Sequence, residues 1–107
     1  MNHTKLSSVL IGCHNIPILW AETKDYGEYS TDLPGPKITI NRSLGPKAAA
    51  MTLVHELIHA IADQYGFSET EEQTKVLETA VCRFLMENPG VLQEILEGLS
   101  YVEQKTC

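Results

Sequence analysis

The chain of 107 residues is long enough to form one hydrophobic core and too short for two. Hydrophobic residues make up 43% and charged residues 21% of it, which are ordinary values for a globular protein and exclude a disordered tail or a disulfide-dense scaffold. The formal net charge is −6, so the chain lacks the basic surface with which proteins bind nucleic acid. We therefore expect a single domain over residues 1–107 with no nucleic-acid partner.

Cysteine usage and hydropathy bear on the compartment. The three cysteines, Cys13, Cys82 and Cys107, are odd in number and form no CxxC pair, which favours reduced thiols and a cytoplasmic protein. The most apolar stretch, Val9–Trp20, is interrupted by polar residues and a proline, and it is shorter than the ~20 residues of a membrane span. It has neither a basic leader nor a cleavage site. We expect no membrane span and no signal peptide.

The first forty residues consist of short apolar or aromatic runs separated by turn-forming residues. Ile16–Trp20, Tyr26–Ser30 and Lys37–Asn41 each have the length and composition of a strand. Two prolines and a glycine within Asp32–Pro36 favour a turn that joins the second and third runs as antiparallel neighbours. A small sheet of two or three strands is therefore predicted.

Three helices are predicted after the strands. Pro46 suits a first helical turn, no Pro or Gly occurs from Lys47 to Tyr65, and Gly66 is typical of a helix end, so the first helix has about five turns. A capping box of Ser68 with Glu71, or of Thr70 with Gln73, begins a second helix that ends at Asn88. Its apolar side chains recur at helical spacing and are expected to face inward: Val76, Leu77, Ala80, Val81, Phe84 and Leu85. A third, shorter helix carries Val91, Leu92, Ile95, Leu96 and Leu99. Strands and helices together indicate an α+β domain.

An HExxH motif, from His55 to His59, lies inside the long helix. Residues four apart lie on the same helix face with Cβ atoms about 6 Å apart, so both imidazoles can bind one zinc ion. Glu56 follows the first histidine directly and is placed to act as a general base on a metal-bound water. The alternative is that both histidines are ordinary, partly buried helix residues.

A catalytic zinc ion usually has three protein ligands, so a third is expected from the second helix. If the two long helices run antiparallel across a tight turn, His59 lies about 9 Å before the turn and Glu72 about 9 Å after it. Glu72 is therefore the first candidate, Glu71 the next, and Glu78, about 18 Å past the turn, the third. The alternative for the acidic cluster Glu69–Glu72 is that its charges complement the helix dipole.

The run Ile38–Asn41, followed by Thr52–Ala60 with its HExxH motif, resembles the core of minimal zincin metallopeptidases of the gluzincin kind. These include the ImmA/IrrE-type peptidases, short SprT-like and phage-encoded zincin-like proteins, and the stand-alone minigluzincins. The resemblance covers about residues 26–89. No third histidine follows the motif at SprT or metzincin spacing, so those two classes fit less well.

The resemblance implies roles for individual residues. His55 and His59 would bind zinc, Glu56 would polarise the water, and a glutamate of Thr70–Gln73 would complete the site. The ImmA/IrrE pattern instead places that glutamate deeper in the second helix, near Glu78. We therefore expect a zinc metallopeptidase that hydrolyses peptide or protein substrates. The alternative, from another class, is a zinc-binding regulatory or interaction module with little or no catalytic activity, because so short a chain has little wall with which to build a substrate cleft.

Weaker candidates remain. The edge of Ile38–Asn41 could pair with a substrate strand, although an ordinary core strand is an equal alternative. A tyrosine hydroxyl could stabilise an oxyanion; the candidates are Tyr26, Tyr29 and Tyr65. Cys13 with His14 could hold metal, and Cys107 could fold back as a fourth zinc ligand.

Overall fold

The computed structural model describes residues 6–101 and has an α+β fold, a four-stranded sheet followed by three helices. The elements are β1 (Ser8–Ile11), β2 (His14–Ala21), β3 (Gly27–Ser30), β4 (Lys37–Asn41), α1 (Pro46–Tyr65), α2 (Glu71–Glu87) and α3 (Val91–Tyr101). The predicted order of strands and helices is confirmed. The sheet has one strand more than expected, because β1 was not predicted.

The additional strand forms a tight hairpin with β2. Its turn consists of Gly12 and Cys13, which both have positive φ, 56° and 70°. Two successive residues with positive φ are characteristic of a type I′ turn, whose twist suits a two-residue hairpin. The residues that usually signal this turn are Asn-Gly or Asp-Gly, and neither occurs here, which is why the sequence pattern does not reveal β1.

The strand order in the sheet is β1-β2-β4-β3, with β2 and β4 parallel and the other two pairs antiparallel. The predicted antiparallel pairing across Asp32–Pro36 is confirmed. The suggestion that Ile38–Asn41 offers a free edge is wrong, because β4 lies between β2 and β3 and both of its edges are paired. The edge strand nearest to it is β3.

The core lies between one face of the sheet and α1. Ile16, Ile18, Ile38 and Ile40 alternate along β2 and β4 and are buried, together with Ala60 of α1. Alternation with a period of two puts these side chains on the same face of the sheet. The small alanine lets the helix backbone approach the sheet closely, which holds the motif helix directly against the strands.

The helix ends follow the sequence signals. Gly66 has a left-handed φ of 74°, and the N–H groups of Gly66 and Phe67 donate to the last carbonyls of α1, as in a Schellman-type end. The second helix begins with the Thr70 and Gln73 capping box, whose two hydrogen bonds measure 3.0 and 2.9 Å. The chain therefore reverses between residues 66 and 70 and packs α2 along α1.

The orientation of α2 differs from the prediction. Thr74 is fully buried against α1, and its hydroxyl donates to the carbonyl of Thr70 at 3.1 Å. Most of the expected inward stripe is instead exposed, with Val76 at 63% and Phe84 at 50%. The prediction assumed that the most apolar face turns inward, whereas the buried face of this helix carries Thr74 and Glu78.

No helix within residues 6–101 is both long enough and apolar enough to cross a membrane.

Candidate metal centre

Two histidines of the HExxH motif lie side by side on α1. His55 and His59 are one helical turn apart, with ring centroids 4.9 Å apart and planes at 73°. Their side chains are mostly buried, 13% and 24% exposed, between α1 and α2. Their predicted placement on one face of the helix is therefore confirmed.

One glutamate of α2 connects the two rings. The carboxylate of Glu71 places Oε2 2.9 Å from Nε2 of His55 and Oε1 3.0 Å from Nε2 of His59. One ligand atom from each of the three residues lies within 4.8 Å of the others. Within the described part of the chain, this is the one group of three or more such residues that is close enough to hold a metal ion.

The other nitrogen of each ring also faces a carboxylate. Nδ1 of His55 lies 2.9 Å from Oε1 of Glu78, and Nδ1 of His59 lies 2.5 Å from Oε2 of Glu69. Both carboxylates are largely buried, 19% and 15% exposed. In metal sites, a ligating histidine commonly donates its second N–H to a carboxylate in this way, which orients the ring.

The two histidine rings face more carboxylate acceptors than two neutral imidazoles have N–H protons to donate. A neutral imidazole carries one N–H, yet each nitrogen of His55 and of His59 faces an acceptor oxygen. The contacts are satisfied if both rings are imidazolium. They are equally satisfied if Nδ1 keeps its proton and a cation lies among the two Nε2 atoms and Glu71. Two imidazoles and a carboxylate are a donor set that suits zinc, so these residues fit the metal that the motif implies.

The electrostatics of His55 follow from the same neighbours. Partial burial lowers its pKa, but the hydrogen bond with Glu78 and the charges of Glu56, Glu71 and Glu78 raise it, and the pKa stands above its usual value. Negative charge therefore surrounds this ring and favours a cation at this place.

Glu56 lies beside the two histidines without being tied to them. It is 6% exposed, and among residues 6–101 no hydrogen bond or ion pair involves its carboxylate. Burial raises its pKa, while the charges of His55 and His59 lower it, and the pKa stands above its ordinary value. A carboxylate with a raised pKa and no hydrogen-bonded partner is suited to accept a proton and release it again.

The site opens into a cavity of about 480 Å³. Its lining includes His55, Glu56 and Glu71, and the residues Asp25–Gly27 at the start of the edge strand β3. Among residues 6–101, Lys75 is the one lysine or arginine that lines it. Small molecules or an extended chain can therefore reach the histidines from the β3 side.

Glu72 is the site residue whose predicted placement needs correction. It follows Glu71 directly and lies 100° around the helix from it, where it lines a surface groove with Val76 and Leu77 and does not contact the histidines. The face that carries Thr74 turns toward α1, and this brings Glu71, three residues before Thr74, to the imidazoles. Glu78, four residues after it, reaches the other nitrogen of His55.

The contact of Glu69 with His59 was not predicted. Glu69 precedes the helix cap at Thr70, and nothing in the sequence distinguishes it from the other acidic residues of the cluster. Its position depends on the path of the chain between Gly66 and the start of α2, which is seen only in the structure.

The three tyrosine candidates lie in different surroundings. Tyr26 lines the cavity beside Glu56. The hydroxyl of Tyr29 donates to Asp63 at 2.7 Å. Tyr65 lies near Gly12 at the β1–β2 turn, away from the histidines.

The cysteines form no part of the centre within the described residues. Cys13 is disulfide-bonded, so the expectation of reduced thiols is wrong for this residue, and Cys82 is a free, partly buried thiol. The metal site suggested for Cys13 with His14 is not among the groups close enough to hold an ion in residues 6–101. The suggestion that Cys107 is a zinc ligand falls outside the described residues.

Comparisons with protein-family models, with curated proteins and with solved structures found no match to this chain.

Proposed function

We propose that this protein is a zinc-dependent metallopeptidase whose metal is held by His55, His59 and Glu71. The observation that carries the proposal is the convergence of two Nε2 atoms and one carboxylate, with both Nδ1 atoms already paired to Glu69 and Glu78. If both Nδ1 atoms carry the ring protons, the lone pairs of the two Nε2 atoms can bind one cation. A structural pair of histidines would not require an acceptor oxygen at all four nitrogens.

The chemistry divides between the metal and the chain. When bound, zinc lowers the pKa of a coordinated water to about 7 and polarises a carbonyl oxygen. Glu56 is the residue available to take the proton from the attacking water, because its carboxylate is free and lines the same cavity as His55. The raised pKa of Glu56 then suits the return of that proton to the leaving amine. Glu69 and Glu78 hold the two rings in place during these transfers.

The edge strand β3 supports a peptide as the substrate. Within residues 6–101 it is paired on one side only, with β4, and its first residue, Gly27, lines the cavity beside Glu56. An extended peptide can add to such an edge through main-chain hydrogen bonds, which places few demands on its sequence. The strand that would pair with the substrate is therefore β3 and not Ile38–Asn41, because β4 is an internal strand.

One observation favours a second candidate, a zinc-binding module that does not cleave peptides. The Glu71 carboxylate is 59% exposed, so one side of the centre faces solvent and the walls around a substrate are low. Efficient catalysis requires a site that excludes water and holds the substrate in a fixed orientation. A module of this kind would keep the metal and the histidine geometry but would not depend on Glu56.

The test combines metal analysis with cleavage of casein or a quenched peptide library. Wild-type protein is expected to bind one zinc ion and to cleave. The Glu56→Gln variant should bind zinc with similar affinity and lose activity by about 10²-fold or more, while His55→Ala should lose both properties. Glu72→Gln is the matched control and should keep both.

Each outcome has a clear meaning. Zinc binding without cleavage by the wild type would favour the binding module. Full activity of Glu56→Gln would overturn the mechanism. Protein that stays metal-free in excess zinc would overturn both candidates.

A further inference from the structure

The outer face of α2 and all of α3 leave a large apolar surface uncovered. On α2 it consists of Leu77, Val81 and Phe84, and on α3 of Leu92, Ile95, Leu96 and Leu99. These seven side chains are between 41% and 70% exposed. We define them as the α2–α3 apolar surface, and we propose that a second copy of this chain covers it, so that the protein is a symmetric dimer in solution.

The spacing of these residues is that of a helix–helix seam. The α3 residues are separated by three, four and seven positions, as are the three on α2, which is the pattern of a and d positions in bundles. Yet α3 makes no extensive contact with the sheet, α1 or α2 within the described residues. A strongly amphipathic helix of 11 residues is marginal in water when its apolar face packs against nothing. A partner that covers its apolar face would stabilise it.

The size of the surface agrees with a dimer. With these side chains about half exposed, it offers roughly 700 Å² per copy, close to the ~800 Å² that each partner buries in a stable complex. A second copy would supply the apolar side chains that these two helices lack within one chain.

The charges favour a second copy over a lipid surface. At 100° per residue, Glu94 and Glu97 lie about 150° from the midline of the α3 stripe, so in a symmetric pair they point away from each other and into solvent. α3 has no Lys or Arg. Amphipathic helices that bind anionic membranes carry basic residues beside the apolar face, and these acidic ones would be repelled.

The dimer would leave the metal centre open. The midline of Leu77, Val81 and Phe84 lies about 100° around α2 from Glu71 and Glu78. The proposed interface and the histidines are therefore on different sides of the helix. Association should not change zinc affinity, and the proposal does not depend on the peptidase activity.

The experiment is sedimentation equilibrium of the full chain from micromolar to submillimolar concentration. Wild-type protein should show twice the chain mass of 11.9 kDa. Leu99→Glu on α3 and Phe84→Glu on α2 should each raise the dimer Kd at least about tenfold, because each buries an unpaired charge in the interface. Leu33→Glu, a substitution at a 93% exposed leucine in the turn before β4, is the matched control and should not change the mass.

Circular dichroism and zinc titration check that each variant is folded. These substitutions lie outside the sheet–α1 core, so folding is expected to persist. Added salt should leave the dimer unchanged or strengthen it, because the net charge of −6 on each copy opposes association. A wild-type protein that stays monomeric throughout, that forms open-ended aggregates, or whose dimer is unaffected by both glutamate substitutions would overturn the proposal.

Discussion

Nδ1 of His55 lies 2.9 Å from a carboxylate oxygen of Glu78, and this contact joins the middle of α1 to the middle of α2. The two residues are 23 positions apart in the chain. Because the carboxylate can only accept, Nδ1 carries the proton in this contact, and a cation between Nε2 and the Glu71 carboxylate would take the place of the second ring proton. The proposed metal centre therefore depends on how the two helices are packed, and not on the motif alone.

We expect substitutions of Glu78 to weaken zinc binding without removing a ligand. Glu78→Ala should lower the affinity about 10- to 100-fold, because ring orientation and ligand basicity are both lost. Glu78→Gln should have a smaller effect, since its amide oxygen still accepts from Nδ1 while the charge is gone. Competition with a chromophoric chelator measures the affinities, and Glu94→Ala on α3 is the control. Equal affinity of the wild type and Glu78→Ala would show that the contact does not orient the ring.

The neighbours Glu71 and Glu72 give a sharper comparison. Glu71→Gln should lower zinc affinity by at least about 100-fold, because an amide is a much poorer zinc ligand than a carboxylate. Glu72→Gln removes the same charge one residue away and should leave the affinity within about twofold, since that side chain does not contact the histidines. Calorimetric titration of both variants distinguishes them. The opposite ranking would return the third-ligand role to Glu72 and would require a different rotation of α2.

This pair also shows how far the sequence can predict the site. His55, Glu56 and His59 lie within one helical turn, so local geometry alone is enough to place them on α1. The choice between Glu71 and Glu72 depends on the rotation of α2 about its axis, which tertiary packing decides. The apolar pattern indicated the wrong face, because an outward apolar stripe is typical of a surface that another chain or element covers.

For the fold, the bounds of individual helices and strands were predictable from the sequence, but the order of the strands in the sheet was not. The bounds of α1 agree with Pro46 and Gly66, and β4 agrees with the run Lys37–Asn41, because strong local signals mark these ends. The sheet order was not predictable, since the parallel pairing of β2 with β4 joins segments about 20 residues apart with no local signal. Of the two interpretations of Ile38–Asn41, the free edge is consequently wrong and the ordinary core strand is right.

Gly27 is predicted to be required at the start of β3. A Cβ atom there would lie 2.7 Å from Cγ2 of Thr52 and 2.9 Å from the carbonyl oxygen of Thr39, and the backbone oxygen cannot move aside without breaking the sheet. We expect Gly27→Ala to lower the free energy of unfolding by about 1–3 kcal/mol. Gly35→Ala, where a Cβ meets nothing within 4 Å, should change it by less than about 0.5 kcal/mol. Urea denaturation compares the two, and equal stability of both variants would contradict the close approach of β3 to α1.

The final prediction concerns the hydrogen bond from Tyr29 to Asp63, which links β3 to the last turn of α1. Tyr29→Phe should lower the free energy of unfolding by about 1 kcal/mol at neutral pH, a typical net value for one hydrogen bond. Tyr65→Phe is the control and should have almost no effect, because no hydrogen bond of the described residues involves that hydroxyl.

The effect of Tyr29→Phe should also depend on pH in one direction. Burial and the acceptor Asp63 raise the pKa of Tyr29 above its ordinary value of 10.0 in the folded protein. The unfolded chain therefore loses the phenolic proton first, so the contribution of Tyr29 is fully present below pH 10 and declines as the pH rises through the folded pKa. The stability difference between the wild type and Tyr29→Phe should accordingly shrink in denaturation experiments above pH 10. A difference that is constant, or that grows as the pH rises, would show that the hydroxyl does not donate to Asp63.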